Sequence, residues 1–258
     1  MFSRTRAFLN SIILFLIGLI LIFALVHCIK TFFNEQNIDI PIYKVDTDKK
    51  EIALTFDISY SERNVEKILD ILDKHNIKAT FFVVGGWVDK HPDLVEEIHK
   101  RGHEIGNHSN SHPYFNEISE DEIKKEIQTT SQKIKAITGE DTYLFRPPFG
   151  EIDENGVRVC ESLGYKVIKW DVDSMDWKNI KDSNIVDRVA QNAKQGSIIL
   201  FHGDGKDVQY YLEQIIYHFE KNGYSMLKVS DLLYEKDYYI DSSGVQRLKE
   251  WFIYKNKM

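Results

Sequence analysis

From Ile52 onward the chain alternates short apolar runs with stretches in which apolar residues recur every three or four positions. That alternation predicts βα units around a largely parallel sheet. Ile52–Phe56 reads as the first strand, and Val65–His75 as a helix with Val65, Ile68, Leu69, Ile71 and Leu72 on one face. Ala79–Val84 is a buried strand, Asp93–Arg101 a short helix behind Pro92, and Glu104–Gly106 a short strand. Ser119 with Glu122 three residues on is a capping box that opens a helix over Ser119–Thr138, which Gly139 closes. Tyr143–Phe145, Lys166–Trp170 and Ser197–Phe201 complete the inner strands, and Asn155–Leu163 and Val208–Lys221 are helices. Near the end, Val245, Leu248, Trp251 and Phe252 fall at helical spacing with Lys and Arg between them. This predicts a helix packed on the body, or a basic amphipathic segment lying on a membrane.

The amino-terminal region follows a different pattern. Ile12 to Val26 is unbroken by charge, and Phe8 to Ile29 reads as a span of about 20 residues, enough for one bilayer core. Arg4 and Arg6 precede it, which favours a cytoplasmic amino terminus and a body outside. A cleaved signal peptide is the competing reading, but the run is long for one and residues 23–30 show no small-x-small pattern. Cys28 as a lipidation site is disfavoured by bulky His27. The expected organisation is a cytoplasmic tail (1–6), an anchor (7–29), a polar linker (30–50), one domain (51–235) and an extension (236–258).

Without the anchor, about 225 residues remain, ample for a core of the α/β barrel class. The net charge of −7 is spread as mixed Lys and Glu over helix faces, with no basic stripe of the kind a nucleic-acid binder needs. Nucleic acid is therefore not an expected partner, and a monomer is the expected state. The two cysteines are Cys28 and Cys160, and the second sits in an apolar helical pattern as a small buried hydrophobe.

Five segments place reactive side chains at the end of apolar runs. They are Thr55-Phe56-Asp57, His108-Ser109-Asn110-Ser111-His112, Arg146-Pro147-Pro148-Phe149-Gly150, Asp173-Ser174-Met175-Asp176-Trp177 and Leu200-Phe201-His202. Carboxyl ends of parallel strands gather such residues into one site. Two imidazoles four apart can share a metal, though nine His would give about 0.3 such pairs by chance, so the spacing alone is weak. Gly102, Gly106, Ser109 and Ser111 strengthen it by letting the backbone turn tightly after a strand. Paired carboxylates and a further histidine supply a base, an acid and the groups that tune them, which is what hydrolysis of an amide or ester requires.

The run Ala79-Thr80-Phe81-Phe82-Val83-Val84-Gly85, then Val88 with Pro92-Asp93-Leu94-Val95, then Gly102-His103-Glu104-Ile105-Gly106-Asn107-His108-Ser109 and His112, resembles the core of the polysaccharide deacetylases. These are the family-4 carbohydrate esterases with the NodB homology domain, and the resemblance runs from about Ile52 to Leu233. It implies a distorted (β/α) barrel and a metal-dependent hydrolase that removes N-acetyl groups from cell-wall sugars, N-acetylglucosamine or N-acetylmuramic acid. By that resemblance Asp57 is the general base, His108 and His112 hold the metal, Arg146 orients and tunes the base, and Asp176 tunes His202, the acid. Trp177 and Leu200 would line the acetate pocket, and Pro148 and Phe149 one wall of the groove.

One position departs from the family pattern. A second Asp usually follows the base and completes an Asp-His-His metal set, whereas this chain has Ile58. Two histidines plus water hold zinc more weakly than three protein ligands. The implied divalent metal, zinc or cobalt, is thus expected to bind weakly, to recruit a substitute ligand or to be absent. Ser59, Tyr60 and Glu62 lie close by, and Asp57 itself can shift from base to ligand. The Thr-Phe-Asp-Ile-Ser start is similar to that of sporulation-associated deacetylase homologues of Gram-positive bacteria. Two functions stay open: a membrane-anchored deacetylase, and a catalytically weak or inactive glycan-binding or sporulation protein on the same barrel.

Overall fold

The structure, a computed structural model, describes residues 15–25, 39–178 and 181–249. The chain separates into two units, residues 1–38 and 39–258. In the first, residues 15–25 are helical, and large apolar side chains from Phe15 to Leu25 are exposed. Among the described residues no helix is long and apolar enough to cross a membrane. The remainder of the expected anchor, with Cys28, lies outside the described residues.

The second unit is built on a parallel sheet whose strands are short apolar runs. They are β2 (Glu51–Ile58), β3 (Thr80–Val83), β4 (Glu104–Asn107), β5 (Leu144–Phe145), β6 (Lys166–Val167), β7 (Val172–Asp173), β8 (Ile198–His202) and β9 (Ser225–Leu227). Their order is β6-β5-β4-β3-β2-β8-β7, with β9 also pairing β2, and every pairing is parallel. Helices occupy Val65–Lys74, Gly85–Val88, Pro92–Lys100, Glu120–Thr138, Glu154–Ser162, Asp182–Asn192, Val208–Lys221 and Val229–Leu232.

Strands β6 and β7 stand at opposite ends of this order, yet few residues join them. Edges of a flat sheet six strand steps apart would be about 29 Å distant, whereas the stretch from Val167 to Val172 reaches at most about 18 Å. The sheet must therefore curl, and the architecture is an α/β half-barrel. Ile42 bridges to Ile168 beside β6, and Lys44 to Ser197 beside β8, so the entering chain runs across the opening.

The alternation of strand side chains divides the core. Phe56, Ile58, Phe81 and Val83 face the helices and pack with Ile68, Leu72, Leu212 and Ile216. Ala53, Phe82, Ile168 and Ile198 belong to a second cluster with Ile42 and Val45. A third lies under the Glu120–Thr138 and Glu154–Ser162 helices and includes Cys160, which is free and fully buried. Burial pushes that thiol's pKa well up, which suits an inert hydrophobe.

The long helix has both halves of its predicted capping box at Ser119 and Glu122, and Gly139 ends it in the left-handed conformation at φ 77°. Four expectations are corrected. The strand at Lys166–Trp170 is shorter than expected: β6 ends at Val167, Ile168 continues only as a bridge to Ile42, and the chain bends at Asp171 before β7. The expected polar linker is not a plain connector, since β1 (Lys44–Val45) joins a sheet and Ile42 and Val45 are buried. The terminal segment is not helical over Val245–Leu248. It forms β11 (Val245–Leu248), which pairs with β10 (Tyr238–Ile240) and with β1, while residues 250–258 lie outside the described residues. Finally, both strands that carry site residues run further than expected: β2 extends to Ile58 and β8 to His202, so Asp57 and His202 lie within their strands rather than just past them.

Candidate active site

Sheet register brings the five sequence motifs to one end of the half-barrel. Asp57 in β2 is the register partner of His202 in β8, and Leu200 of β8 is the partner of Asp173 in β7. His108 directly follows β4 and Arg146 directly follows β5, and those strands pair at Asn107 and Phe145. Parallel strands pointing the same way expose their carboxyl ends together, so residues almost 150 positions apart meet.

Asp57 and Arg146 form a buried ion pair, 6% and 0% exposed, with Nη1 donating to Oδ1 at 2.7 Å. The guanidinium also donates to Thr55 Oγ1 at 2.8 Å and to the Lys169 carbonyl at 3.0 Å. It lies 4.1 Å from the Phe82 ring centroid and 5.4 Å from that of Trp170. Burial drives the Asp57 pKa up, but the charge and hydrogen bond of Arg146, helped by His202, outweigh it and hold the carboxyl below its ordinary value. Asp57 therefore stays ionised with Oδ2 free of the arginine.

Asp176 is also buried and collects three donors. His202 Nδ1 lies 2.8 Å from its Oδ1, while the His202 backbone N–H and the Tyr211 hydroxyl each donate to Oδ2 at 2.9 Å. A Cβ on Gly205 would collide with Asp176 and Tyr211, so this cradle closes only over a glycine. Burial drives the His202 pKa down, but the hydrogen bond and charge of Asp176 overcome it and raise the pKa above its ordinary value.

The two-histidine loop is held from behind. Ser109 Oγ accepts from the His112 backbone N–H at 3.0 Å, and Asn107 Oδ1 from that of Ser109 at 2.9 Å. Glu126, on the long helix, accepts from the backbone N–H groups of Asn110 and Ser111, both at 2.7 Å. Ser109, His112, Phe149 and Met175 all have positive φ, at 68°, 61°, 59° and 61°. Non-glycine residues persist in that region only where surroundings over-determine them, and here they cluster around the site.

His108 Nδ1 is 2.8 Å from the Arg146 carbonyl, and its Nε2 is 3.5 Å from Asp57 Oδ2. Burial lowers the pKa of His108, and lowers that of His112 to about 4, so both are neutral imidazoles. Neutral imidazoles fit a divalent cation, and these two are adjacent, with ring centroids 5.0 Å apart. Among the described residues, however, no three of His, Cys, Asp and Glu assemble into a full donor set. The donors present are the two histidines, with water or substrate needed for the remaining positions.

Ile58 does not face this site. It is fully buried in the helix-side cluster and contacts the space where Gly203 lacks a Cβ. Ile58→Asp therefore places a carboxyl group among apolar side chains, where an unpartnered carboxylate is so costly that it takes up a proton, and even the neutral group costs about 2–7 kcal/mol without a hydrogen-bond partner. The melting temperature is expected to fall and zinc is not expected to restore it, because residue 58 points into the helix-side cluster and away from His108 and His112; recovery with zinc would show that the strand end can turn residue 58 toward the histidines.

The groove residues separate. Leu200 is 2% exposed inside β8, and Pro148 is buried, whereas Phe149 and Trp177 are 49% and 56% exposed. Phe149 meets His112 edge-on at 4.6 Å and stacks on Tyr114 at 4.2 Å. Sequence reasoning passed over Tyr114, Glu126 and Tyr211. Tyr211 lies on a helix face shared with Leu212 and Ile215, so nothing local sets it apart from the core. Glu126 gives a faint signal as a carboxylate beside the apolar stripe of Ile123 and Ile127.

A family model described as polysaccharide deacetylase matches residues 44–168. The chain is 35% identical over 199 residues to the peptidoglycan-N-acetylmuramic acid deacetylase PdaA of Bacillus subtilis, covering 76% of each. It is 34% identical over 196 residues to a peptidoglycan-N-acetylglucosamine deacetylase of Bacillus cereus, covering 74% of this chain and 92% of that one. Among solved structures, BA3943 of Bacillus anthracis, a CE4 family pseudoenzyme, superimposes with a TM-score of 0.73 at 32% identity, over 77% of this chain and 70% of that one. A mutant of BA3943 with restored enzymatic activity matches at the same TM-score. With its motifs gathered as the half-barrel requires, the chain belongs to the polysaccharide deacetylase family, hydrolases of carbon–nitrogen bonds other than peptide bonds.

Proposed function

We propose that this chain removes N-acetyl groups from the sugars of peptidoglycan. The observation that carries the reading is the pair of dyads, buried Asp57 with Arg146 and buried Asp176 with the partly exposed His202, whose reactive members are partners in adjacent strands. Water adds to the acetyl carbonyl as its proton passes to Asp57 Oδ2, which Arg146 keeps ionised. His202 Nε2, left free because Nδ1 is held by Asp176, then protonates the sugar nitrogen as the C–N bond breaks, and acetate and an amine leave. His108 and His112 would hold a divalent cation, zinc or cobalt, whose contribution when bound is Lewis acidity toward the amide oxygen and the attacking water.

The same proposal tethers the hydrolase to a membrane through the apolar segment 7–29, with the body outside the cell. Arg4 and Arg6 ahead of the segment, and the exposed apolar side chains of residues 15–25, support this placement.

A second reading is favoured by Ile58, by the incomplete donor set and by the likeness to a pseudoenzyme. In it the barrel binds glycan without turning it over. Acetate release by a fragment from about residue 34 onward decides between them, measured on vegetative and spore peptidoglycan and on N-acetylglucosamine oligomers, with zinc, with cobalt and with chelator. Metal-dependent release is expected from peptidoglycan. No release under any condition would leave the binding reading.

A further inference from the structure

We propose that Tyr60 is a positioning residue that sets the tautomer of His112. Tyr60 lies just beyond β2 and is 72% exposed, so core packing does not explain its placement. Its hydroxyl is 3.3 Å from His112 Nδ1, and the two rings meet edge-on at 5.7 Å. The neighbouring histidine shows what such a contact does. His108 Nδ1 faces the Arg146 carbonyl, which can only accept, so the proton of His108 sits on Nδ1 and its Nε2 carries a lone pair.

Unlike that carbonyl, a phenol can accept from Nδ1–H or donate its own proton to a bare Nδ1, and we assign the accepting role because it leaves both histidines with Nε2 free. With Nδ1–H donating to Tyr60 Oη, the second imidazole also keeps a bare Nε2, and both histidines present the same kind of donor atom. Apart from Tyr60, the acceptor within reach of the His112 ring among the described residues is the backbone carbonyl of His112 itself. Phe149 and His108 contact it as ring edges, and Ser109 holds its backbone rather than its ring. An outer partner of this kind fixes ring orientation and tautomer and is typically worth about 10- to 100-fold in metal affinity. In a chain that has isoleucine where a third ligand is usual, the tautomer of each remaining histidine carries more of the binding. The metal half of this inference rests on the proposed cation at His108 and His112, whereas the tautomer half does not.

The test is Tyr60→Phe, which keeps the ring and removes only the oxygen. Long-range nitrogen–proton NMR of the metal-free protein, labelled at histidine, is expected to show His112 as the Nδ1–H tautomer. In Tyr60→Phe it is expected to move toward Nε2–H, the form an unconstrained imidazole prefers, with His108 unchanged. Zinc competition with a chromophoric chelator is expected to show a dissociation constant raised about 10-fold or more. An Nε2–H tautomer for His112 in the unaltered protein, or an unshifted tautomer in Tyr60→Phe, would overturn the proposal. If neither protein bound zinc, the proposed function would lose its metal, and the tautomer alone would still decide the role of Tyr60.

Discussion

Arg146→Met is expected to destabilise the fold by about 3–5 kcal/mol, and to abolish acetate release even where the protein still folds. The reason is the carboxylate left behind. Arg146 is wholly buried and is the cation that holds Asp57 ionised, and it also satisfies Thr55 and the Lys169 carbonyl. Methionine fills the space against Phe82 and Trp170 but supplies neither charge nor donors. The sign of the pH dependence identifies the cause. With Arg146 present the Asp57 pKa is lowered, so the pair contributes stability above the unfolded carboxyl value and loses it as pH falls through the folded value. Without Arg146 the largest influence that lowers the Asp57 pKa is gone while burial remains, so the pKa rises, and ionised Asp57 costs stability at neutral pH that it ceases to cost once protonated. Denaturant titrations should therefore show a gap between the two proteins that is wide at pH 7 and narrower near pH 4. A gap independent of pH would mean that packing, not charge, is what Arg146 provides.

His202→Ala is expected to lower kcat by about 10²–10⁴ with zinc content unchanged, since a general acid contributes on that scale and His202 is not among the proposed metal donors. Asp176→Asn refines the assignment. The His202 pKa is raised because Asp176 outweighs burial, so removing the charge lowers it and the acid form is lost at lower pH. The alkaline limb of kcat/KM is accordingly expected to shift to lower pH in Asp176→Asn. Stability follows the same sign. The raised pKa contributes fully below the unfolded histidine value near 6.5 and is lost as pH rises through the folded value, so the two proteins should converge at alkaline pH. Loss of zinc in His202→Ala, or an unmoved alkaline limb in Asp176→Asn, would remove His202 from the acid role.

The helix at Val65–Lys74 and the capped helix ending at Gly139 were legible because their signals are local. Apolar spacing selects a face within a few turns, and a cap acts within one. The helix at Asp182–Asn192 was not read, since only Ile185 and Val189 are buried along it. Val245–Leu248 misled for the opposite reason. Its spacing suits a helix, but backbone partners in β10 and β1, the latter some 200 residues earlier, draw it into a sheet.

The sequence by itself determined the parallel α/β class and the family, and it singled out Asp57, Arg146, Asp176 and His202 as candidates, because each motif is written in consecutive residues near a strand end. Only the tertiary structure decided which way those residues face. Strand register set Asp57 beside His202, alternation turned Ile58 into the helix-side core, and folding brought Tyr60 to His112, Tyr211 to Asp176 and Glu126 to the histidine loop. Such contacts join residues with no periodic relation in the chain, so they exist only once the sheet has curled.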